Sequence, residues 1–296
     1  MNNFISVVIP SYNHAHFLHR SINSVLDQKY DNLEILVIDN HSIDNTDDVV
    51  LGFDDNRIKL LKIYNEGIIA ASRNLGIMIA RGDWIAFLDA DDYWYPTKFK
   101  AIMKSIESDE YDVISTDEVL IDQKHKKKKR LRYGSLTKSF YKKMLLYGNC
   151  MSTSATLVRR DYLISHNLYF SEKKEFITVE DYDYWMLLAL NNARFKFIHR
   201  VEGAFVLHGK NNSMDKELHS NNLESLLKHH IFNVQQFESN ANKLWNIVKS
   251  QMEMKLIIKS LKREISIYKL RNIISIIMKY PTHSCFTILK KAILLL

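Results

Sequence analysis

Three carboxylates within four positions, Asp89, Asp91 and Asp92, follow directly on the apolar run Trp84-Ile85-Ala86-Phe87-Leu88. Five apolar residues in a row suit a strand buried on both faces. Such a strand delivers its terminal acids to the C-terminal edge of the sheet, where open α/β sheets bind ligands. Neighbouring carboxylates repel, so they are stable together in water or around a cation. An all-oxygen donor set suits Mg²⁺ or Mn²⁺, ions that commonly arrive with substrate phosphates. The alternative for this stretch alone is a solvated acidic turn. A second acid, Asp39, closes the run Glu34-Ile35-Leu36-Val37-Ile38. A third group, Glu180, Asp181 and Asp183, precedes Trp185, Leu188 and Ala189 at helical spacing. The helix dipole favours acids in a first turn, so capping is by itself a sufficient reason for them.

The elements that must position these residues alternate. Ile5–Ile9 reads as a buried strand stopped by Pro10-Ser11-Tyr12-Asn13, and Phe17, Leu18, Ile22, Val25 and Leu26 then mark one face of a helix. After the strand that ends in Asp39, Ser42 or Asp44 is the expected N-cap of a short helix. Ile58–Ile63 is a third strand. Gly67 opens a helix with Ile68, Ala71, Ser72, Leu75, Met78 and Ile79 on one face, ended by Gly82. This alternation builds a parallel sheet flanked by helices, and Asp39 and Asp89 line one crevice if their strands are neighbours. No G-x-G-x-x-G follows the first strand and no G-x-x-x-x-G-K-[ST] is present, which disfavours dinucleotide and P-loop folds.

Further on, Pro96 sits at an expected helix N1 position, followed by Phe99, Ile102, Met103 and Ile106 on one face. Short strands are expected at Val113–Thr116, Val119–Asp122, Ser152–Val158, Arg194–His199 and Gly203–Leu207. The run from Lys124 to Arg130 reads first as a solvated hairpin tip, because like charges prefer exposed loops, and second as an anion or membrane contact. From about Asp215 the pattern is helical to the end.

The 296 residues, 46% hydrophobic and 25% charged, suit one large domain or a domain with an appendage. Cys150 and Cys285 lie far apart without a C-x-x-C partner, which argues against a zinc site or disulfide framework and fits a reducing compartment. Met1-Asn2-Asn3-Phe4 lacks a basic n-region, and no apolar stretch reaches the roughly 18 residues of a membrane span. The expectation is a cytoplasmic protein, soluble or peripheral on the inner face of the membrane. Net charge is +7, and Lys243–Leu296 holds eleven Lys/Arg against Glu253 and Glu264, so the basic character belongs to this tail. No nucleic-acid motif accompanies it.

Taken in order, these residues resemble the family 2 inverting glycosyltransferases of the GT-A fold, from about Phe4 to about Ser213. Ser6–Asn13 is similar to the family's opening strand and loop, and Val37–Thr46 to its nucleotide-recognition segment, with Asn40 where a second Asp is common. Asn65-Glu66-Gly67 through Gly76 resembles the following helix entry. Phe87–Asp92 resembles the D-x-D motif, and Glu180-Asp181 with Trp185 the E-D-x-x-x-W block that carries the base. The resemblance implies a mixed, mostly parallel α/β sheet of GT-A type. It implies a catalytic domain over 1–215, with its nucleotide-sugar half to about 95 and its acceptor half from 96, then a basic helical region over 216–296.

The site it implies has Pro10, Tyr12, Asn13, Asp39, Arg73, Asp89 and Ala90 around the donor. Asp39 would hydrogen-bond the base or ribose, and Asp89 would approach the ribose. Asp91 and His208 would be at a divalent ion, Mn²⁺ or Mg²⁺. Asp92, Glu180 and Trp185 would support it, and Asp181 would be the catalytic base. Arg73 as a surface helix charge and His208 as a structural histidine are the plainer alternatives. The implied activity moves a sugar from a nucleoside-diphosphate sugar, a UDP-sugar first, to an acceptor hydroxyl. That acceptor is a lipid-linked saccharide, as in bacterial O-antigen or capsule assembly.

In the tail, apolar residues from Leu256 to Met278 interleave with Lys259, Lys262, Arg263, Lys269 and Arg271. This suits a basic amphipathic helix on an anionic membrane, or one packed on the catalytic domain or a second subunit. Rival functions are a sugar-nucleotide pyrophosphorylase, which needs a Gly-rich basic loop after the first strand, and a non-catalytic, membrane-associated sugar-nucleotide-binding scaffold. Nucleic acid is not an expected partner, and oligomeric state stays open.

Overall fold

Seven apolar-rich segments set up the first half of the molecule, seen here in a computed structural model describing residues 3–122, 124, 126–134, 139–209 and 215–261. They are β1 (Ile5–Ser11), α1 (Ala15–Leu26), β2 (Leu33–Asp39), α2 (Thr46–Leu51), β3 (Ile58–Lys62), α3 (Ile69–Ile79) and β4 (Trp84–Phe87). β1, β2 and β4 are buried along their whole length, as continuous apolar runs require. β1 pairs in parallel with β2 on one side and with β4 on the other, and β2 pairs in parallel with β3. Asp39 and Asp89 therefore do not sit on neighbouring strands, because β1 lies between them. β1 also runs on through Pro10. β4 pairs only as far as Val8, so the missing N–H of Pro10 costs no ladder bond on that side.

The second half adds β5 (Tyr93–Trp94), α4 (Lys98–Glu107), β6 (Val113–Asp122), β7 (Lys127–Leu131), α5 (Phe140–Tyr147), β8 (Thr156–Arg159), α6 (Arg160–Ser165), α7 (Glu180–Leu190) and β9 (Phe195–Leu207). The strands form one sheet in the order β3-β2-β1-β4-β8-β6-β9-β5, with β7 paired to β6. β8 is antiparallel to β4 and β6, β9 is parallel to β6, and β5 is antiparallel to β9. The mixed α/β sheet with flanking helices is thus as expected. β6 and β9 are single strands rather than two short ones each. Both breaks in the sequence pattern fall at one register irregularity, near Asp117, which the ladder absorbs.

Three local expectations are corrected. The N-cap of α2 is Asn45, because Ser42 is engaged with Asp39; Asp44 still accepts the Thr46 amide. α4 starts after Thr97, so Pro96 lies just outside it. α3 turns a different face inward: Ala70, Arg73, Asn74 and Ile77 are buried with Ser72, whereas Met78 is exposed. Polar partners on other elements draw Arg73 and Asn74 in, which an apolar-face reading cannot see. Gly76 lets α3 lie close on β1, since a Cβ there would stand 2.3 Å from a methyl of Val8.

The chain divides into two compact units, residues 1–141 with 150–223, and residues 142–149 with 224–296. The first contains the whole sheet. α8 (Lys216–His229) begins in the first unit and ends in the second, which also holds a π-helical turn at His230–Val234 and α9 (Ala241–Leu261). Within the second unit Lys255 Nζ donates to the carbonyl of Tyr147 at 2.6 Å. Most of the basic amphipathic tail lies outside the described residues. Among those described, no helix is long and apolar enough to cross a membrane.

At the N-terminal edge of the sheet, Glu34 is buried and accepts from Ser6 Oγ, the Arg81 amide and guanidinium, and Lys59. Burial by itself raises its pKa, and these donors outweigh it, holding the carboxyl down to about 2. A depressed folded-state pKa gives stability that is present above the unfolded value and lost as pH falls through the folded one. Glu34→Gln is accordingly expected to cost on the order of 2 kcal/mol at pH 7. The deficit should shrink between pH 4.5 and about 2. Thermal melts of both proteins at pH 7 and pH 3 check this; a pH-independent difference removes the linkage.

Candidate functional site

The strand order reverses between β1 and β4: from β1 the chain moves out to β2 and β3, then returns to the other side of β1. Loops leaving the C-terminal ends of strands at such a switch point bound a crevice with no helix across it. Here those loops are Tyr12–His14 after β1 and Leu88–Asp92 after β4.

The acidic loop is held from several directions. The Asp92 amide donates to the Asp89 carbonyl, closing a tight turn. Ser154, just ahead of β8, accepts from the Asp89 amide at 3.1 Å and donates to Asp92 Oδ2 at 2.6 Å. Asp92 Oδ1 accepts the amide of Val206 at 2.8 Å. Asp92 is buried, and burial together with the charges of Asp91, Glu118 and Asp89 pushes its pKa well above the usual range. Its place is behind the loop, joining β4 to β9. Ala90 is also buried. Asp91 faces the crevice: its Oδ2 lies 2.7 Å from His208 Nε2, at the end of β9, and its carbonyl accepts from Arg20 at 2.9 Å. His14 stands 5.9 Å from the His208 ring, edge to face.

Arg73 is 3% exposed and bridges two elements. Its Nη2 donates to Asp89 Oδ1 at 2.8 Å and its Nη1 to Glu180 Oε1 at 2.7 Å. The guanidinium also lies over the Phe170 ring at 5.3 Å. The reading of Arg73 as a surface helix charge is therefore excluded. Glu180 opens α7, and Asp181 follows it, accepting the amide of Tyr182 at 2.7 Å. Burial and the neighbouring Glu180 charge push Asp181 up to about 7 against the opposing pull of Arg73, and Asp89 adds to the rise. Trp185 is wholly buried and packs on Tyr184 and Phe170, so it anchors α7 rather than lining the crevice.

At the other end, Asp39 is 0% exposed. Its carboxylate accepts from the amide and hydroxyl of Ser42 and from Lys62 Nζ at 2.8 Å. These three donors hold the carboxylate at the junction of β2 with the following loop, where the sequence expectation puts a base or ribose. Ser42 in turn accepts the Asn13 amide at 2.7 Å, and Asn13 Oδ1 accepts the amide of Ile43 at 2.9 Å. Pro10 is buried in the strand, whereas Tyr12 is 54% exposed beside this junction.

The structure thus gathers Arg73, Asp89, Glu180 and Asp181 at one place and Asp91, Asp92 and His208 at the adjoining one. Asp39 and Asn13 form a separate loop clip. Sequence reasoning missed Ser154, Arg20, His14 and Asn74. Asn74 grips the Phe170 backbone through both amide atoms at 2.8 and 2.9 Å. Only Asn74 carried a signal, as a polar side chain next to Arg73 in a small-residue helix.

Among the described residues no three His, Cys, Asp or Glu side chains converge as a ready metal cage. Asp91 Oδ2 and His208 Nε2 nevertheless adjoin at 2.7 Å, an oxygen and a nitrogen that could both be offered to an ion. That fits an ion that takes one or two protein ligands and completes its sphere with phosphate oxygens and water.

The family profile described as "Glycosyl transferase family 2" matches residues 6–165, just over half of the chain. A 97-residue stretch is 48% identical to the Escherichia coli UDP-Glc:alpha-D-GlcNAc-diphosphoundecaprenol beta-1,3-glucosyltransferase WfgD, covering 32% of this chain and 38% of that protein. An uncharacterized glycosyltransferase of Rickettsia conorii is 31% identical over 217 residues, which is 73% of this chain and 35% of the relative. The chain thus spans well under half the length of these relatives. The Staphylococcus aureus TarS fragment 1–349 in complex with UDP-GlcNAc superposes with a TM-score of 0.65 at 18% identity, over 94% of this chain and 80% of that one. The Pyrobaculum calidifontis mannosyltransferase PcManGT, in complex with GDP-Man and Mn²⁺, gives 0.62 at 13% identity, over 99% and 85%. At these identities the two structures speak for the fold, which is GT-A.

Proposed function

Because the chain belongs to glycosyl transferase family 2, we propose that it moves a sugar from a UDP-sugar to a hydroxyl of a lipid-linked saccharide, with inversion at the anomeric carbon. The observation that carries this reading is the link Asp89–Arg73–Glu180. It fixes the acidic loop at the switch point against the start of α7, where Asp181 has a proton affinity suited to a base near neutral pH. The UDP and lipid-linked parts draw on the TarS complex with UDP-GlcNAc and on WfgD, whose described acceptor is a diphosphoundecaprenol-linked sugar.

In this mechanism Asp181 accepts the proton of the acceptor hydroxyl as that oxygen bonds to the anomeric carbon. The bond from that carbon to the diphosphate oxygen breaks on the opposite side, and the nucleoside diphosphate leaves with the electron pair. One displacement gives one inversion. Arg73 holds Asp89 with one arm and, through Glu180, the base helix with the other. Asp91 and His208 would hold a divalent ion, which supplies positive charge to the departing diphosphate. Ser154 and Asp92 keep the loop bearing Asp91 in place.

A melting-temperature screen with UDP-, GDP- and dTDP-sugars, each with Mn²⁺ and with EDTA, tests the donor site, since a ligand bound only to the folded state raises the melting temperature. A metal-dependent rise for UDP-sugars is expected. Asp91→Ala should abolish the metal dependence and weaken donor binding by about tenfold or more. An Asp91→Ala protein whose donor affinity still responds to Mn²⁺ as the parent does takes Asp91 out of this role.

A further inference from the structure

Seven cations crowd one hairpin of the first unit: Lys124, Lys126, Lys127, Lys128, Lys129, Arg130 and Arg132, all exposed. β7 lies on the free side of β6, so the hairpin forms a rim of the sheet. Lys128 pairs with Asp122 at 3.1 Å and Arg130 with Asp117 at 2.6 Å. The other five have no ion pair among the described residues. Lysines on an edge strand discourage pairing with other chains. Four of the five residues of β7 are exposed cations, a density that complements an anionic partner.

Register shows where this rim lies. Asp122, the last residue of β6, is opposite Leu207, the last residue of β9, and the next residue is His208, against Asp91. β6 separates β7 from β9, so the two are about 10 Å apart at two strand spacings. The charged tip and the crevice mouth therefore share one end of the sheet. Nucleic acid fits the rim poorly. Single strands are held by stacking on exposed aromatics, and among the described residues of the hairpin the aromatic one, Tyr133, is partly buried with its hydroxyl bound to Glu118 at 2.8 Å.

We infer that the β6–β7 hairpin docks the protein on an anionic phospholipid surface and so sets the crevice mouth at the level of the headgroups. This rests on the proposed lipid-linked acceptor, which would be presented from such a surface. Each lysine close to an anionic bilayer contributes about fivefold to binding, and salt screens it.

The test uses the full chain and vesicles of phosphatidylcholine with and without phosphatidylglycerol. The variant combines Lys124→Ser, Lys126→Ser, Lys127→Ser and Lys129→Ser, leaving the two paired cations in place. The parent is expected to bind only the anionic vesicles, and less at high salt. At low salt the variant should lose about 600-fold in binding while its melting temperature and its response to donor stay those of the parent. A variant that binds as the parent does moves the contact to another part of the chain and overturns the inference. So does a parent that ignores anionic vesicles, or one whose hairpin-dependent affinity is greater for DNA than for vesicles. Failure of the glycosyltransfer reading would show separately, as no melting response to any sugar nucleotide whatever the vesicles do.

Discussion

Asp181→Asn is expected to lower the transfer rate by about 10³-fold, the middle of the range for removing a positioned base, while donor affinity stays within about threefold. Asparagine matches the shape of aspartate and keeps the carbonyl oxygen that accepts the Tyr182 amide. What it loses is the ability to take a proton. The acid limb of kcat/KM in the parent should fall near the Asp181 value of about 7, with activity rising as pH rises through it. Turnover measured from pH 5.5 to 8.5, with donor affinity measured separately by calorimetry, checks both statements. Near-parent turnover by Asp181→Asn, or a flat profile through neutrality, takes the base away from Asp181.

The same residue makes a stability prediction of opposite sign. Its folded pKa is raised from 3.8 to about 7, so its favourable contribution is complete below the unfolded value and is lost as pH rises through the folded one. An ionised Asp181 therefore costs the native state on the order of 2 kcal/mol at pH 8, after discounting for its partial exposure. Asn cannot ionise. Relative to the parent, the variant should gain melting temperature at pH 8, gain less at pH 5 and gain little below the unfolded value of 3.8. A base stored at the expense of stability behaves in this way.

The fold was legible because its central strands announce themselves. Ile5–Ile9, Glu34–Ile38 and Trp84–Leu88 are unbroken runs that only a doubly covered sheet can hold, and the helices between them force parallel pairing. The candidate site was legible where the chain concentrates acids at the end of a strand and the start of a helix, at Asp89–Asp92 and at Glu180–Asp181, which Arg73 brings together. What the sequence hid was direction. Asp39 and Arg73 were recognisable as special, yet their roles depend on which way each side chain turns. Lys62, 23 positions away, and Ser42, three residues on in the same loop, turn Asp39 inward. Glu180, 107 positions away, turns Arg73 inward and rotates the buried face of α3 with it. Ser154 was invisible because a serine before a strand is ordinary until its two partners are known.

Arg73 is the second residue on which a large effect is expected. Removing one member of a buried ionic bridge leaves its partners charged and unpaired, which costs about 3–5 kcal/mol. Arg73→Met should therefore lower the melting temperature by roughly 10 °C at neutral pH. Arg73→Lys separates charge from geometry: a single ammonium keeps the positive charge but cannot span Asp89 and Glu180 as the two arms of guanidinium do. It should recover part of the stability and less of the turnover. The pH profile then distinguishes a positioning role from a merely structural one. Arg73 pulls the Asp181 pKa down against burial and the Glu180 charge, so weakening that pull moves the acid limb of kcat/KM to higher pH in both variants, further in Arg73→Met. A variant that loses stability while its acid limb stays at the parent's position would show that Arg73 holds α7 in place without tuning the base.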